Sequence, residues 1–221
     1  MGLLREAGAL AFTDGLHAVR NAQVMRNALS YAKAFGALII QHPEDPDLAE
    51  GGHMNEGELA TRLGLSGIPT AAESILLERD RQLVSLTGGR YHAAHLSTAE
   101  GLAVVRRAKA EGLHMTADTA PPYFALNDLE VQGYRTFAKV SPPLRSEDDR
   151  LAVVEALQDG TIDVIASDHS PHDQESKRIP FAQAEPGMVG VETLLPLALE
   201  LYHKGQLPLL DLLRKMTVAP A

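Results

Sequence analysis

Four side chains that can bind a metal ion follow short apolar runs along the chain. They are Asp14 at the end of AFTD, His42 at the end of LIIQH, His95 at the end of YHAAH and Asp168 at the end of VIASD. If each run is a β-strand, each of these groups lies at the C-terminal end of its strand. In a βα barrel those ends converge on one mouth, where active sites form. Groups that are distant in sequence are therefore expected to meet.

Imidazole and carboxylate groups without thiolates are typical of a catalytic zinc site with an open coordination position. The chain has nine histidines and no cysteine, which excludes a thiolate site and a disulfide framework. Each residue also has a simpler interpretation. Asp14 precedes Gly15 and could form a turn, Asp168 could cap a helix, and a single histidine at a strand end is often only hydrogen-bonded. The residues alone leave both interpretations open.

Strand-like runs alternate with segments of helical period. The strands are predicted at 7–14, 36–42, 90–97, 113–120 and 161–169, and the helices at 21–35, 71–88, 98–111 and 147–159. Ser97 or Thr98 can cap the third helix, and Gly112 follows it. The alternation predicts βα units with a parallel sheet, with five strands against the eight of a closed barrel. Two polar segments, 42–57 and 170–190, are predicted as loops.

The composition argues against a nucleic-acid or anionic-membrane surface. The 221 residues carry a formal net charge of -9, whereas both surfaces need clustered Lys and Arg. No apolar run reaches the roughly 18 residues of a membrane helix, and the first residues lack a signal peptide pattern. Together with the absence of cysteine, this favours a cytoplasmic location. An apolar run begins almost at Met1, so we also expect the chain to be part of a larger domain.

Five longer blocks carry a further pattern. They are FTDG at 12–15, HPED at 42–45, HLST at 95–98, SPPLRSEDDR at 141–150 and DGTIDVIASDHSPH at 159–172. In order and spacing they resemble successive blocks of the class I dihydroorotases of the amidohydrolase superfamily. The resemblance implies an α/β fold, a (β/α)8 TIM barrel of the metal-dependent amidohydrolase type. Residues 1–221 would form one partial barrel domain, about strands four to eight, without strands one to three and the small β-domain.

The resemblance also implies roles for individual residues. The implied ligands of one or two Zn²⁺ ions are Asp14, His42, His95 and Asp168. Asp168 is in addition the implied catalytic acid and base. The implied substrate contacts are Ser141, His172, Pro186 and Gly187. In the family an HxH pair on the first strand completes the metal site, and this chain has no match for that pair.

The implied activity is the zinc-dependent interconversion of N-carbamoyl-L-aspartate and dihydroorotate in de novo pyrimidine biosynthesis. Two blocks depart from the family pattern and bear on substrate identity and catalysis. The usual Asn before PPLR is Ser141, and APPY at 120–123 stands where TPHH is usual. The remaining polar groups of interest are interpreted as loop or packing residues: His17, His53, His92, His114 and Glu73.

Two alternatives remain open. One is a non-catalytic dihydroorotase-like subunit that supports aspartate transcarbamoylase, although such homologues typically lose metal ligands and all four strand-end positions are kept here. The other is a hydantoinase or dihydropyrimidinase type of amidohydrolase. The expected partners are the small-molecule substrate, a second copy of the chain in a homodimer, and aspartate transcarbamoylase.

We predict that the 221-residue chain alone is inactive. A half-barrel leaves two sheet edges unpaired and lacks the first-strand ligands. The measurement is dihydroorotate hydrolysis by the purified chain, and full turnover by this polypeptide alone would contradict the prediction.

Overall fold

The computed structural model describes all residues from Met1 to Ala221. Its strands are β1 Ala11–Phe12, β2 Leu38–Gln41, β3 Met54–Asn55, β4 Gly67–Ile68, β5 Arg90–Ala93, β6 Met115–Thr119 and β7 Val164–Ile165. Its helices are α1 Gly2–Glu6, α2 Ala22–Lys33, α3 Pro46–Ala49, α4 Glu58–Leu63, α5 Ala71–Thr87, α6 Ala99–Ala110, α7 Pro121–Ala125, α8 Glu147–Gln158, α9 Gln174–Lys177, α10 Val191–His203 and α11 Leu209–Met216. Two 3₁₀ turns cover Asp128–Val131 and Thr136–Ala138. No helix is long and apolar enough to span a bilayer.

Five strands form one parallel sheet in the order β1-β2-β5-β6-β7. The register pairs Ile39 with Tyr91, His92 with Thr116, and Thr119 with Ile165. Strands β1 and β7 each have one neighbour, so they are the two edges of the sheet. The five predicted strands and the parallel α/β arrangement are therefore confirmed.

Local capping explains where the helices begin and end. Asn21 accepts hydrogen bonds from the first turn of α2, and Ser146 accepts one from the first turn of α8. Thr98, rather than Ser97, caps α6. Gly88 ends α5 in the left-handed conformation, with φ of 65°. All four helices predicted from the sequence are present, and the side-chain caps satisfy backbone N–H groups that a helix start leaves free.

The main core lies between the sheet and the helices that cover it. Its 27 buried residues include Ile39, Tyr91 and Met115 from the strands, with Leu29 from α2 and Leu77 from α5. A second cluster of ten residues packs the segments that follow the strands. The second cluster matters for function because it holds the loops at the C-terminal edge of the sheet.

The loop predicted at 42–57 is only partly a loop. Asp45 caps the four-residue helix α3, and Met54, which is 1% exposed, begins a short strand that pairs with β4. The pattern of polar, Gly and Pro residues concealed these elements because each is only two to four residues long.

A buried carboxylate connects α5 to the sheet. Asp80 accepts hydrogen bonds from the Tyr91 hydroxyl at 2.8 Å and from the side-chain amide of Gln41. The Gln41 carbonyl oxygen in turn accepts from the backbone N–H of Val19 at 2.8 Å. Because buried polar groups are costly when unpaired, this network fixes the helix, two strands and the segment after β1 relative to one another.

We predict that Tyr91→Phe destabilises the protein by about 1–3 kcal/mol, since the buried Asp80 carboxylate loses a donor. The measurement is urea unfolding. Tyr202→Phe, at a half-exposed ring on α10, is the matched control and should cost less than about 0.5 kcal/mol. Equal unfolding midpoints for the two variants would show that the hydroxyl carries no stability.

Candidate active site

All four predicted metal ligands follow strands of the parallel sheet, Asp14 by two residues after β1, and three of them are buried or half-buried there. His42 follows β2 directly, His95 follows β5 by two residues, and Asp168 follows β7 by three. Since the strands are parallel, all four lie at C-terminal strand ends. The Nε2 atom of His95 is 3.7 Å from Oδ1 of Asp168.

His42 is a buried imidazole without a hydrogen bond. It is 3% exposed, and neither ring nitrogen has a hydrogen-bond partner. The Oε1 atom of Glu44 lies 4.0 Å from Nε2 of His42. Burial, reinforced by the nearby His95, lowers the pKa of His42 from 6.5 to about 4. A neutral imidazole with unpaired nitrogens is the form in which histidine binds a metal ion.

The carboxylate of Asp118 holds His95. It accepts from the backbone N–H of His95 at 2.7 Å and from its Nδ1 at 2.8 Å. An ionised carboxylate only accepts, so Nδ1 carries the proton and Nε2 is left facing Asp168. Burial opposes protonation of His95, but the hydrogen bond to Asp118 and the charges of Asp118 and Asp168 outweigh it and raise the pKa of His95.

His92 supports the same carboxylate from the other side. Its Nε2 lies 2.8 Å from Oδ2 of Asp118, and its Nδ1 lies 2.8 Å from the Thr116 hydroxyl. Burial would raise the pKa of Asp118, but the hydrogen bonds from His92 and His95 outweigh it and lower that pKa to about 2. Asp118 is therefore ionised and fixed in orientation, as in the carboxylate–histidine pairs that orient metal ligands.

Asp168 contacts a residue from another segment. The hydroxyl of Tyr123 lies 3.2 Å from Oδ2 of Asp168 and 3.1 Å from the carbonyl oxygen of Pro142. Burial raises the pKa of Asp168, and the positive charge of His95 and the hydrogen bond from Tyr123 offset part of that rise. Tyr123 belongs to the APPY block, so a departure from the family pattern supplies a contact to a predicted catalytic group.

The backbone at both groups lies in the left-handed region. The φ angle is 62° at His95 and 45° at Asp168. Such angles are uncommon for non-glycine residues and persist only where surrounding contacts hold them. At His95 the direct contacts come from Asp118, and Glu73 holds the residues at 97 and 98 that follow.

Glu73 fixes the segment that follows His95. Its buried carboxylate accepts from the backbone N–H and the hydroxyl of both Ser97 and Thr98, at 2.6–3.0 Å. Gly101 lies against the same carboxylate, and a Cβ there would be 2.2 Å from Oε1 of Glu73. Glu73 and His92, interpreted from the sequence as loop or packing residues, are both buried and hydrogen-bonded beside His95. Glu73 holds the two residues at 97 and 98, and His92 holds Asp118.

Asp14 also lies at a C-terminal strand end, two residues after β1, but its surroundings differ from those of the other three. Its side chain is exposed and forms no hydrogen bond or ion pair, and Gly15 closes a turn by donating to the Thr13 hydroxyl at 3.0 Å. The structure brings no three His, Asp or Glu side chains into one metal-binding group. The turn interpretation of Asp14 accounts for its backbone, and the assignment of Asp14 as a metal ligand stays a prediction.

The predicted substrate contacts fall into two neighbouring segments. Nε2 of His172 lies 3.0 Å from the carbonyl oxygen of Pro186, and both lie in the segment after Asp168. The backbone N–H of Gly187 donates to the carbonyl oxygen of Lys139 at 2.8 Å, two residues before Ser141. The structure thus brings the two segments together, and the Gly187 N–H is already paired.

The solved structures most useful for comparison share this fold. The L-hydantoinase (dihydropyrimidinase) from Arthrobacter aurescens has a TM-score of 0.85 and 25% identity, covering 99% of this chain and 52% of its own. A D-hydantoinase from Bacillus sp. AR9 has a TM-score of 0.83 and 22% identity, covering 98% and 50%. The fold is thus that of the amidohydrolase-type βα barrels, of which this chain supplies five parallel strands.

Sequence comparison narrows this class. The family described as dihydro-orotase-like matches residues 1–101. The dihydroorotase of Desulfotalea psychrophila is 50% identical over 218 residues, covering 99% of this chain and 52% of its own. That of Geobacter metallireducens is 49% identical over 221 residues, covering 100% and 52%. The resemblance to dihydroorotases is therefore confirmed along the whole chain, which spans about half the length of the curated relatives it matches.

We predict that chelator-treated protein loses stability as the pH falls from about 6.5 to 4, and that His42→Asn removes part of this loss. In that window the unfolded state binds a proton at His42 that the folded state does not, since the folded pKa is about 4. Stability is fully present above pH 6.5 and falls by about 3 kcal/mol toward pH 4 from this group alone.

The measurement is urea unfolding at several pH values. His203→Asn, at an exposed histidine ending α10, is the control for loss of an imidazole. Parallel pH profiles for wild type and His42→Asn would contradict the prediction.

Proposed function

We propose that this chain is part of a zinc-dependent cyclic amidohydrolase that interconverts N-carbamoyl-L-aspartate and dihydroorotate, a step of pyrimidine biosynthesis. The observation that carries the proposal is the buried His42, whose two ring nitrogens have no hydrogen-bond partner. It lies at the same sheet edge as the His95–Asp168 pair. The dihydroorotase relatives at 49–50% identity support the choice of reaction.

The available donors fit zinc chemically. His42 offers unpaired nitrogens, His95 offers Nε2 while Asp118 holds its Nδ1, and Asp168 offers Oδ1. Two imidazoles and a carboxylate without thiolates are common zinc ligands. In this proposal these three residues and Asp14 hold the metal. Zinc, when bound, lowers the pKa of a water molecule and polarises a carbonyl group.

Asp168 is proposed as the proton carrier. Its Oδ1 faces His95 and its Oδ2 faces the Tyr123 hydroxyl, so the carboxyl group is held between two partners. Burial raises its pKa, which allows it to hold a proton closer to neutral pH. In ring opening, Asp168 would accept a proton from the attacking water and donate it to the departing amide nitrogen. Ring closure would run the same transfer in reverse.

His172 and Ser141 are proposed to bind the substrate carboxylate, which requires hydrogen-bond donors. The ring Nε2 of the exposed His172 donates to the carbonyl oxygen of Pro186 at 3.0 Å, so it would have to exchange this acceptor for the substrate carboxylate. The half-buried Ser141 hydroxyl forms no hydrogen bond in the protein. Pro186 and Gly187 are proposed to line the same place through their backbone. Because the Gly187 N–H already donates to the carbonyl oxygen of Lys139, Gly187 would shape the substrate pocket rather than donate a hydrogen bond to the substrate.

Location and assembly remain proposals that rest on the likeness to dihydroorotases. We propose a cytoplasmic location and a homodimer. Association with aspartate transcarbamoylase belongs to the non-catalytic alternative, in which the metal and the activity are both absent.

We predict that Asp168→Ala lowers dihydroorotate hydrolysis about 100-fold or more, because general acid–base catalysis alone contributes about that much. The measurements are turnover and bound zinc in one sample of the protein as the cell produces it. Asp148→Ala, at an exposed carboxylate in the first turn of α8, is the control and should leave both unchanged.

The same assay separates the alternatives. Wild-type protein that contains zinc but hydrolyses hydantoin or dihydropyrimidine in preference to dihydroorotate would indicate the hydantoinase type. Wild-type protein without zinc and without either activity would contradict the proposed function.

A further inference from the structure

The side chain of Lys177 is buried without an ion pair. It ends α9 and is 2% exposed, and its ammonium group donates to three backbone carbonyl oxygens. These are the carbonyls of Glu185 at 2.7 Å, Gly187 at 2.8 Å and Lys139 at 3.3 Å. A lysine ammonium has three donors and no acceptor, so all of its hydrogen-bonding capacity is used. Fully buried lysines are rare, and this one needs an explanation.

The three carbonyls belong to the two segments that carry the predicted substrate contacts. Glu185 and Gly187 flank Pro186, and Lys139 is two residues before Ser141. The carbonyl oxygen of Lys139 accepts both from Lys177 and from the backbone N–H of Gly187. One ammonium group therefore joins the Ser141 segment to the Pro186–Gly187 segment.

Close packing leaves this arrangement little freedom. A Cβ at Gly187, where φ is 138°, would lie 2.5 Å from the carbonyl oxygen of Ser170 and 3.0 Å from Cδ2 of His172. The ammonium of Lys139 donates to the carbonyls of Phe181 and Ala182, at 2.9 Å and 3.1 Å. Lys139 thus holds the carbonyls of 181–182 and Lys177 those of 185 and 187, and the ring of His172 lies against Gly187.

We propose that Lys177 is a positioning residue for substrate binding. Its ammonium acts as an internal cation that orders the carbonyls of 185–187 and 139, and thereby places Ser141 and His172 for the substrate carboxylate. The substrate part of this inference rests on the proposed function, whereas the ordering of the two segments does not. Lys177 has no contact with the proposed metal ligands, so its effect should appear in binding rather than in metal content.

The test compares Lys177→Met with Lys177→Arg in the protein as the cell produces it. Methionine fills similar space without donors, and arginine keeps the charge but cannot direct its planar group at three converging carbonyls. Lys204→Met is the matched control, because Lys204 is an exposed lysine paired with Glu200. Two quantities are measured: hydrogen exchange of the Glu185 and Gly187 amides, and KM and kcat for dihydroorotate.

We expect both amides to exchange about tenfold faster or more in Lys177→Met. Their backbone acceptors are the carbonyls of Ser176 and Lys139, and these hydrogen bonds join the segments that the variant no longer holds together. We expect KM to rise about tenfold with a smaller change in kcat and unchanged zinc, because weakened hydrogen bonds to the non-reacting substrate carboxylate are lost equally in the ground state and the transition state. Lys177→Arg should be intermediate, and Lys204→Met should match the wild type.

Wild-type exchange and wild-type KM in Lys177→Met would overturn the inference. Faster exchange with an unchanged KM would also overturn the substrate role. If Lys177→Met does not fold, Lys177→Arg decides by the same two measurements. If the wild type has no dihydroorotate activity while exchange still rises in the variants, the proposed function fails and the ordering role of Lys177 stands.

Discussion

Parallel pairing of β2, β5 and β6 is the constraint on which the candidate site depends. The outer face of these strands is buried under α2, α5 and α6, and the register is fixed by contacts such as Ile39 beside Tyr91. A slip of one residue would turn each strand over, because side chains alternate between the two faces. With the register fixed, the carboxylate of Asp118 on β6 binds His95, which follows β5. His42 directly follows β2, the other neighbour of β5.

Polar groups that form no part of the main core then hold the active-site segments. Asp118 accepts hydrogen bonds from the backbone and the ring of His95, and Glu73 accepts them from residues 97 and 98. Lys177 donates to three backbone carbonyls in the two segments that carry the proposed substrate contacts. These groups are buried and ionisable, so they are stabilising only while every partner is in place. The order of the site therefore depends on contacts between segments rather than on any single loop.

The strands and helices could be predicted because apolar runs, caps and glycine stops are local signals. The edge at which His42, His95 and Asp168 lie followed from the rule that parallel strands end together. Asp118 could not be found in this way, because its role depends on two histidines more than 20 residues away. The role of Glu73 has no local signal in the sequence for the same reason, since its partners belong to the next βα unit. Asp14 also follows its strand as the strand-end rule predicts, and its exposed side chain lies in a local turn after β1, an edge strand of the sheet.

Glu73 and Gly101 have a consequence for how such a sequence can change over time. The carboxylate of Glu73 occupies the space that a side chain at position 101 would need, with only 2.2 Å between Oε1 and that Cβ. A substitution at either position alone is therefore costly, either because it leaves four donors unpaired or because it creates a steric clash. The two positions are epistatic, and viable descendants would keep both residues or replace both together.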